Sequence, residues 1–334
     1  MVKLLYTSLT FGCGFFLLPS ITIGSNAALR TILIKNWRKN MKKLVTPMLA
    51  LLAVLTLISA CATSNNPTQN TASFDSTKNI TVVSREDGSG TRRAFIELLG
   101  ILVKADGTEK DHTTKQAIIA NQTGVMLTNI ENDTYAIGYV SLGSLNENVK
   151  ALSIDGVAAT AENVKNGTYP IARPFIIATK STISEVTQDF IDFILSNEGQ
   201  TVVAKGYTPV DGSAAAYSGS KPSGKIVVAV SSSVAPIMEK LKEAYIAINP
   251  NADIEIQMTD SSAGMTAAID GTCDIGMASR ALKESELAQL NPTSIAIDGI
   301  AVIVNPRNTV SGLTSEQVKA IFTGEASAWS AVID

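Results

Sequence analysis

From residue 79 onward the chain alternates two kinds of apolar pattern. Short runs rich in Val and Ile, bounded by Gly, Pro, Ser or Asn, read as strands: ITVVS (80–84), YAIGYVS (135–141), PFIIATK (174–180), KIVVAVS (225–231), DIEIQMT (253–259), CDIGMAS (273–279) and IAVIVN (300–305). Between them lie stretches with helical spacing. The clearest follows Pro236, where Ile237, Leu241, Tyr245 and Ile248 recur at intervals of four, four and three, with Glu239, Lys240, Lys242 and Glu243 on the other face. Alternating strands and helices predict an α/β architecture with mainly parallel sheets. This part of the chain exceeds one comfortable core, so two lobes are expected. Its most linker-like segment is VDGSAAAYSGSKPSG (210–224), which divides it into 79–209 and 225–334.

Residues 1–60 read differently. They hold seven of the 27 Lys and Arg residues and none of the 30 Asp and Glu. From Met41, MKKLVTPMLALLAVLTLISAC has a basic start, an apolar centre from Leu44 to Ile58 and small residues before Cys61. That is the three-part layout of an export signal, here 41–60. Ile58-Ser59-Ala60-Cys61 also resembles the lipobox of bacterial lipoproteins, whose cysteine is lipidated and becomes the mature N-terminus. The competing reading is a transmembrane anchor preceded by a second apolar stretch around Phe11 to Ile23. Its apolar run is short of the roughly 20 residues a bilayer requires. Residues 1–40 then read as an upstream extension from a misplaced start codon, with Met41 the true start, or as an unusual leader. Residues 61–78, CATSNNPTQNTASFDSTK, read as a flexible tether between a lipid anchor and the folded part.

Without 1–60 the chain keeps all 30 acidic residues against 20 of the 27 basic ones, a net charge of −10. Such a chain is a poor candidate for nucleic acid, which selects basic faces. An anion would have to be attracted locally, by oriented dipoles and one or two arginines. Of three cysteines, Cys13 lies in the extension and Cys61 in the lipobox, leaving Cys273 as a buried small hydrophobe. The single histidine, His112, sits in a polar EKDHTTK surface stretch. No zinc site or histidine-dependent triad is therefore expected, and no cofactor or metal.

The chemistry gathers where strands give way to helices. In SREDGSGTRRAF (84–95), Gly88 and Gly90 permit close backbone approach, Ser89 and Thr91 add hydroxyls beside the free N–H groups of a helix start, and Arg85 offers a planar fork. Asp87 would repel an anion, so it is expected to pin Arg85 or cap the helix. The plainer reading is a Gly-Ser turn with a capped helix. No Gly-Lys-Ser/Thr follows, which excludes a P-loop. A second junction, VVAVSSSVAP (227–236), places three serines before Pro236, more than one N-cap at Ser231 or Ser232 requires. TDSSAGMTAAID (259–270) repeats the design with Ser261 and Ser262, and DIGMASRALKESEL (274–287) with Ser279 and Arg280. Each is weak alone. Together they point to an oxyanion held at strand carboxyl ends.

The same segments resemble the phosphate-binding proteins of bacterial ABC phosphate importers, the PstS family, over nearly all of 79–334. SREDGSGTRRAF is similar to that family's anion loop, SSSVAP, DSSAGM and DIGMASR to its other ligand segments, and GYVSLGS (138–144) and IFTGEASAW (321–329) to further landmarks. The resemblance implies a two-lobed, periplasmic-binding-protein-like fold of type II with the ligand in a cleft. One lobe would comprise 79–172 with 301–334 and carry the DGSGT loop. The other, 173–300, would contain the linker 210–224 and carry SSSVAP and DSSAGM. It further implies that Arg85, Ser89, Gly90 and Thr91 bind phosphate from one lobe and Ser232, Ser233 and Ser261 from the other. Two departures stand out. The segment order is circularly permuted, since SSSVAP and DSSAGM usually precede DGSGT; the chain can then stop just after Trp329 without being a fragment. Ser279 also stands where better-known members use an aspartate to accept the proton of hydrogen phosphate. Arg93, where many relatives have glycine, reads as a solvent-side change.

The implied partners are inorganic phosphate, the permease subunits of an ABC importer, and the membrane through a lipid on Cys61. The protein is expected to be an exported monomer on the outer face of the bacterial cytoplasmic membrane, and not an enzyme. A phosphate-ester hydrolase using Ser89 as nucleophile lacks a general base. A receptor for sulfate or molybdate, and a sensor built on the same fold, remain the alternatives.

Overall fold

The computed structural model describes residues 74–333. The expected signal at 41–60, Cys61 and most of the tether lie outside the described residues. Along the chain, β1 (Thr81–Arg85) leads into α1 (Gly90–Leu98), followed by a hairpin of β2 (Leu102–Ala105) and β3 (Thr108–Asp111). Next come β4 (Ile118–Ala120), α2 (Thr123–Asn132) and β5 (Ala136–Ser141). Short strands β6 (Lys150–Ala151) and β7 (Ser153–Ile154) and helix α3 (Ala161–Lys165) precede β8 (Ala172–Thr179). Helices α4 (Glu185–Leu195) and α5 (Asn197–Val203) and strand β9 (Thr208–Pro209) lead to β10 (Gly224–Ser231) and α6 (Ala235–Ile248). Then follow β11 (Ala252–Thr259), α7 (Ser261–Asp270), β12 (Ile275–Ala278), α8 (Glu284–Leu287) and β13 (Asn291–Val304). Strand β14 (Gly312–Leu313) and α9 (Ser315–Thr323) complete the order.

The main sheet runs β11-β10-β12-β8-β13-β5-β1-β4, with β6 and β9 also on β13. Parallel pairing is confined to its flanks, β10 with β11 and β12, and β1 with β4 and β5. The expectation of mainly parallel sheet is therefore corrected: the centre is antiparallel. The reason is β13. Its first part pairs with β8, from Asn291 opposite Thr179 to Gly299 opposite Ala172, and its last part pairs with β5, from Ile300 opposite Ser141 to Val304 opposite Ile137. This one long strand runs against both, which makes the centre antiparallel. The Ile300 N–H donates to the Ile171 carbonyl at 2.8 Å, so the two chain crossings, near 172 and 299, lie side by side.

Buried side chains fall on either side of this crossing. One group, from Val82 to Ile171 and Ile300 to Val332, includes Phe95 stacked on Tyr139 with ring centroids 4.0 Å apart. The other, from Phe175 to Ala296, contains the helical stripe Ile237, Met238, Leu241 and Tyr245. Burying each such side chain is worth about 1.5–3 kcal/mol, so each half has its own hydrophobic support. The segment 210–224 is strapped onto the second group. Tyr217 donates its N–H to Glu198 Oε2 at 2.7 Å and its hydroxyl to buried Asp189 Oδ2 at 2.5 Å, which also accepts from Tyr245 at 2.6 Å.

Candidate functional site

Arg85 closes β1 with its side chain buried. Its guanidinium donates from Nε and Nη2 to the two oxygens of Glu86 at 2.8 and 2.7 Å, and from Nη1 to Thr123 Oγ1 at 3.3 Å. A further bond crosses the cleft: Nη2 donates to Ser232 Oγ at 3.0 Å. The expectation that Asp87 pins Arg85 or caps the helix is corrected. Asp87 is turned to solvent and pairs with Arg92 at 3.0 Å. Glu86 holds Arg85, and Ser89 is the cap of α1, accepting from the Arg92 N–H at 3.3 Å. The preceding residue of the strand, Ser84, bonds the Tyr139 hydroxyl at 2.8 Å, and burial pushes that phenol up to about 12.

The serines beyond β10 are not spent on capping. Helix α6 starts at a Val234 cap without a side-chain bond, which leaves Ser232 to meet Arg85 and the Thr123 N–H at 3.3 Å. Ser233 is buried, with Ser231 Oγ 3.5 Å from its own Oγ. Asp260 caps α7 through the Ala263 N–H at 2.8 Å, so Ser261, the first helical residue, faces inward. Ser261 Oγ accepts from the Ser279 N–H at 3.1 Å and lies 3.4 Å from Ser279 Oγ. Ser279 Oγ in turn lies 3.5 Å from Thr91 Oγ1. The Ser262 N–H reaches the Gly88 carbonyl at 3.3 Å. At Gly90 a Cβ would come within 2.3 Å of Ser261 Oγ and 2.6 Å of Ser279 Oγ, and at Gly88 within 2.4 Å of the Asp260 side chain. Only glycine lets the loop approach so closely.

The polarity of these hydroxyls is set by their neighbours. Thr91 Oγ1 accepts from Arg173 Nη2 at 3.2 Å, Ser232 from Arg85 and Thr123, and Ser261 from the Ser279 N–H. A hydroxyl carries a single proton. Each of these three therefore accepts inside the protein, which leaves its proton for a neighbouring hydroxyl, Thr123 beside Ser232 and Ser279 beside Thr91 and Ser261, or for a guest that takes that neighbour's place. The N–H groups of Arg92, Ser262 and Ala263 are taken by Ser89, Gly88 and Asp260, so the starts of α1 and α7 can offer a guest only their remaining first-turn N–H groups and the positive ends of the helix dipoles. Ser279 Oγ accepts no such N–H bond, so it is the hydroxyl most able to take a proton from a guest. Each arginine nearby is balanced by a carboxylate: Arg85 by Glu86, Arg92 by Asp111, Arg173 by Asp298 and Arg280 by Glu286. With these charges balanced, what the arrangement can offer an anion is chiefly aimed donors.

The structure joins Arg85 to Ser232 and, separately, Thr91 to Ser279 and Ser279 to Ser261, with Ser89, Gly90 and Ser233 in the same buried segments. Thr123, Arg173 and Asp298 escaped sequence reasoning. Arg173 and Asp298 each interrupt an apolar run, IARPFII and IAIDGIAV, which was the available signal that both are buried and paired. Arg93 binds Glu97 at 2.7 Å and Glu109 at 2.6 Å on the partly open surface of α1 and the hairpin.

A family model described as the PBP superfamily domain matches residues 24–198 and 215–333. The phosphate-binding protein PstS 2 of Streptococcus agalactiae serotype V is 53% identical over 292 residues, covering 85% of this chain and 97% of that protein. The chain belongs to the PstS family. PstS 2 of Streptococcus pneumoniae serotype 4 is 46% identical over 255 residues, 76% of this chain and 87% of its own length. Among solved structures, the phosphate-binding protein of a phosphate ABC transporter from Streptococcus pneumoniae TIGR4 superimposes with a TM-score of 0.63 at 44% identity, covering 76% of this chain and all of that one. The fold is the mixed α/β, two-lobed architecture of type II periplasmic binding proteins.

Proposed function

We propose that this PstS-family protein captures inorganic phosphate between its lobes and delivers it to an ABC-type phosphate importer. The observation that carries the reading is the contact of Arg85 with Ser232 at 3.0 Å, beside Thr91, Ser261 and Ser279. Segments 147 residues apart thereby present a guanidinium and directed hydroxyls to one place. Arg85, Ser89, Gly90 and Thr91 serve from the lobe formed by 79–172 and 301–334. Ser232, Ser233, Ser261 and Ser279 serve from 173–300. Closure replaces the water of the anion by fixed donors, and no covalent step is involved. Ser279 is the acceptor for the proton of hydrogen phosphate. The protein is exported and tethered by a lipid on Cys61 to the outer face of the cytoplasmic membrane, working as a monomer.

The segment order is a circular permutation. Its support is the meeting of the two ends of the folded part: Ile80 N–H to the Ser327 carbonyl at 2.8 Å and Trp329 N–H to the Lys78 carbonyl at 3.2 Å, where an unpermuted chain would run straight through. Bacillus subtilis PstS, moreover, aligns over only 39% of this chain and 42% of its own length. Thermal unfolding with phosphate, sulfate and molybdate tests the function. Phosphate should raise the melting temperature at lower concentration than the other two, because a ligand stabilises the folded state in proportion to ln(1 + [L]/Kd). An equal or larger shift with sulfate or molybdate would reassign the ligand.

A further inference from the structure

Arg173 is buried at the strand crossing, outside the four segments that sequence singles out. It stands in β8 opposite Asp298 of β13, where the two strands cross between lobes. Both side chains are buried, and Nη2 lies 3.0 Å from Asp298 Oδ2. The same guanidinium donates from Nη1 to the Ser279 carbonyl at 2.7 Å and from Nη2 to Thr91 Oγ1 at 3.2 Å. It therefore touches one residue of each lobe. Its Nε has no acceptor among the described residues. The Phe175 ring lies 4.8 Å from its central carbon.

Such a pair is poorly explained by stability alone, because buried ions lose more hydration than their attraction commonly restores. Burial lowers Arg173 to about 10 and raises Asp298 to about 6, so burial outweighs the pairing on both sides. What the pair does supply is a fixed donor at Thr91. With one lone pair engaged by Arg173, the Thr91 oxygen is oriented and its proton is turned away from the guanidinium, toward Ser279 Oγ at 3.5 Å or a guest bound between them.

We propose that Arg173, held by Asp298, is a positioning residue for anion binding: it sets Thr91 as a donor to a tetrahedral oxyanion and ties Thr91 to Ser279 across the closed cleft. The inference rests on the phosphate reading above. It extends the site by a cation that reaches the guest through another side chain.

The test is a double-mutant cycle on the full chain, read by calorimetric titration with inorganic phosphate. The variants are Thr91→Val, Arg173→Met made together with Asp298→Asn so that no carboxylate is left unpaired, and all three substitutions combined. Each of the first two should weaken binding by about tenfold or more, and the combination should fall within about threefold of the weaker one, since interacting groups lose their shared effect only once. Losses that multiply would show that Arg173 does not act through Thr91 and would overturn the proposal, as would wild-type affinity in the Arg173→Met/Asp298→Asn protein. Melting temperature and circular dichroism verify folding. If that variant does not fold, Arg173→Lys replaces it, keeping the charge but not the planar reach. It should weaken binding about threefold with Thr91 intact and not at all in the Thr91→Val background; equal losses in both would again overturn the proposal. A wild-type chain that ignores phosphate would instead sink the phosphate reading itself.

Discussion

Gly90→Ala adds one methyl group where the loop before α1 packs against Ser261 and Ser279. Gly90 is the first residue of α1, and its backbone is not among the left-handed glycines, so alanine suits the local conformation. Alanine is also the better helix former, by about 1 kcal/mol in a helix interior, and the lobe that carries it should fold at least as well as before. The cost arises only on closure. The new Cβ would stand 2.3 Å from Ser261 Oγ and 2.6 Å from Ser279 Oγ. Neither hydroxyl can retreat freely, because both are fully buried and Ser261 is held by the Ser279 N–H at 3.1 Å. Overpacking of this kind costs about 1–3 kcal/mol. If it falls wholly on the closed complex, phosphate Kd rises by about 5- to 150-fold. Calorimetric titration of phosphate into the variant, with a thermal melt of the unliganded protein alongside, measures both halves of the claim. Affinity within about twofold of wild type would refute closure on the Gly90–Ser261 contact. A large loss of unliganded stability would refute the assignment of the clash to closure.

Arg85→Ala should weaken phosphate binding at least about tenfold by calorimetry, since it removes a charge-assisted donor and leaves Glu86 unpaired beside the anion. Asp189→Ala strands the Tyr217 and Tyr245 hydroxyls and should cost about 2–4 kcal/mol in urea unfolding while leaving phosphate affinity unchanged. Asp111 and Glu286 work at acid pH. Burial opposes their ionisation, yet Thr113 and Arg92 at Asp111, and Arg280 at Glu286, hold both carboxyls below their ordinary values of 3.8 and 4.5. Stability from these groups is therefore full above those values and is lost as pH falls through the lower, folded ones. These two groups leave the urea midpoint unchanged from pH 7 to 5, where Asp298, raised to about 6, instead adds stability as pH falls, and they lower the midpoint below about pH 4.5; Glu286→Gln should shrink that fall.

Much of the site is legible in sequence because its parts are local. A strand, a hydroxyl and a helix start are adjacent in the chain, so Thr91, Ser232, Ser261 and Ser279 could each be picked out before any coordinates. The apolar stripe of α6 and the strand ends at 231 and 259 are likewise set by nearby residues. What sequence could not supply is partnership at a distance. Arg173 acquires its meaning from Thr91 and Asp298, which only the strand crossing brings to it. Thr123 meets Ser232 across 109 residues. The choice of Glu86 over Asp87 as the partner of Arg85 depends on which way each side chain leaves the turn, a matter of a single residue. The first half of β13 was hidden for a different reason. NPTSIAIDG opens with Asn-Pro and mixes polar with apolar positions, so only its buried end, IAVIV, reads as a strand.

The central claim is tested most directly by isothermal titration of the chain with inorganic phosphate and, separately, with sulfate. One phosphate per chain, bound more tightly than sulfate and weakened by Arg85→Ala, is the predicted result. No saturable heat with phosphate, or equal affinity for phosphate in the Arg85→Ala protein, would contradict it.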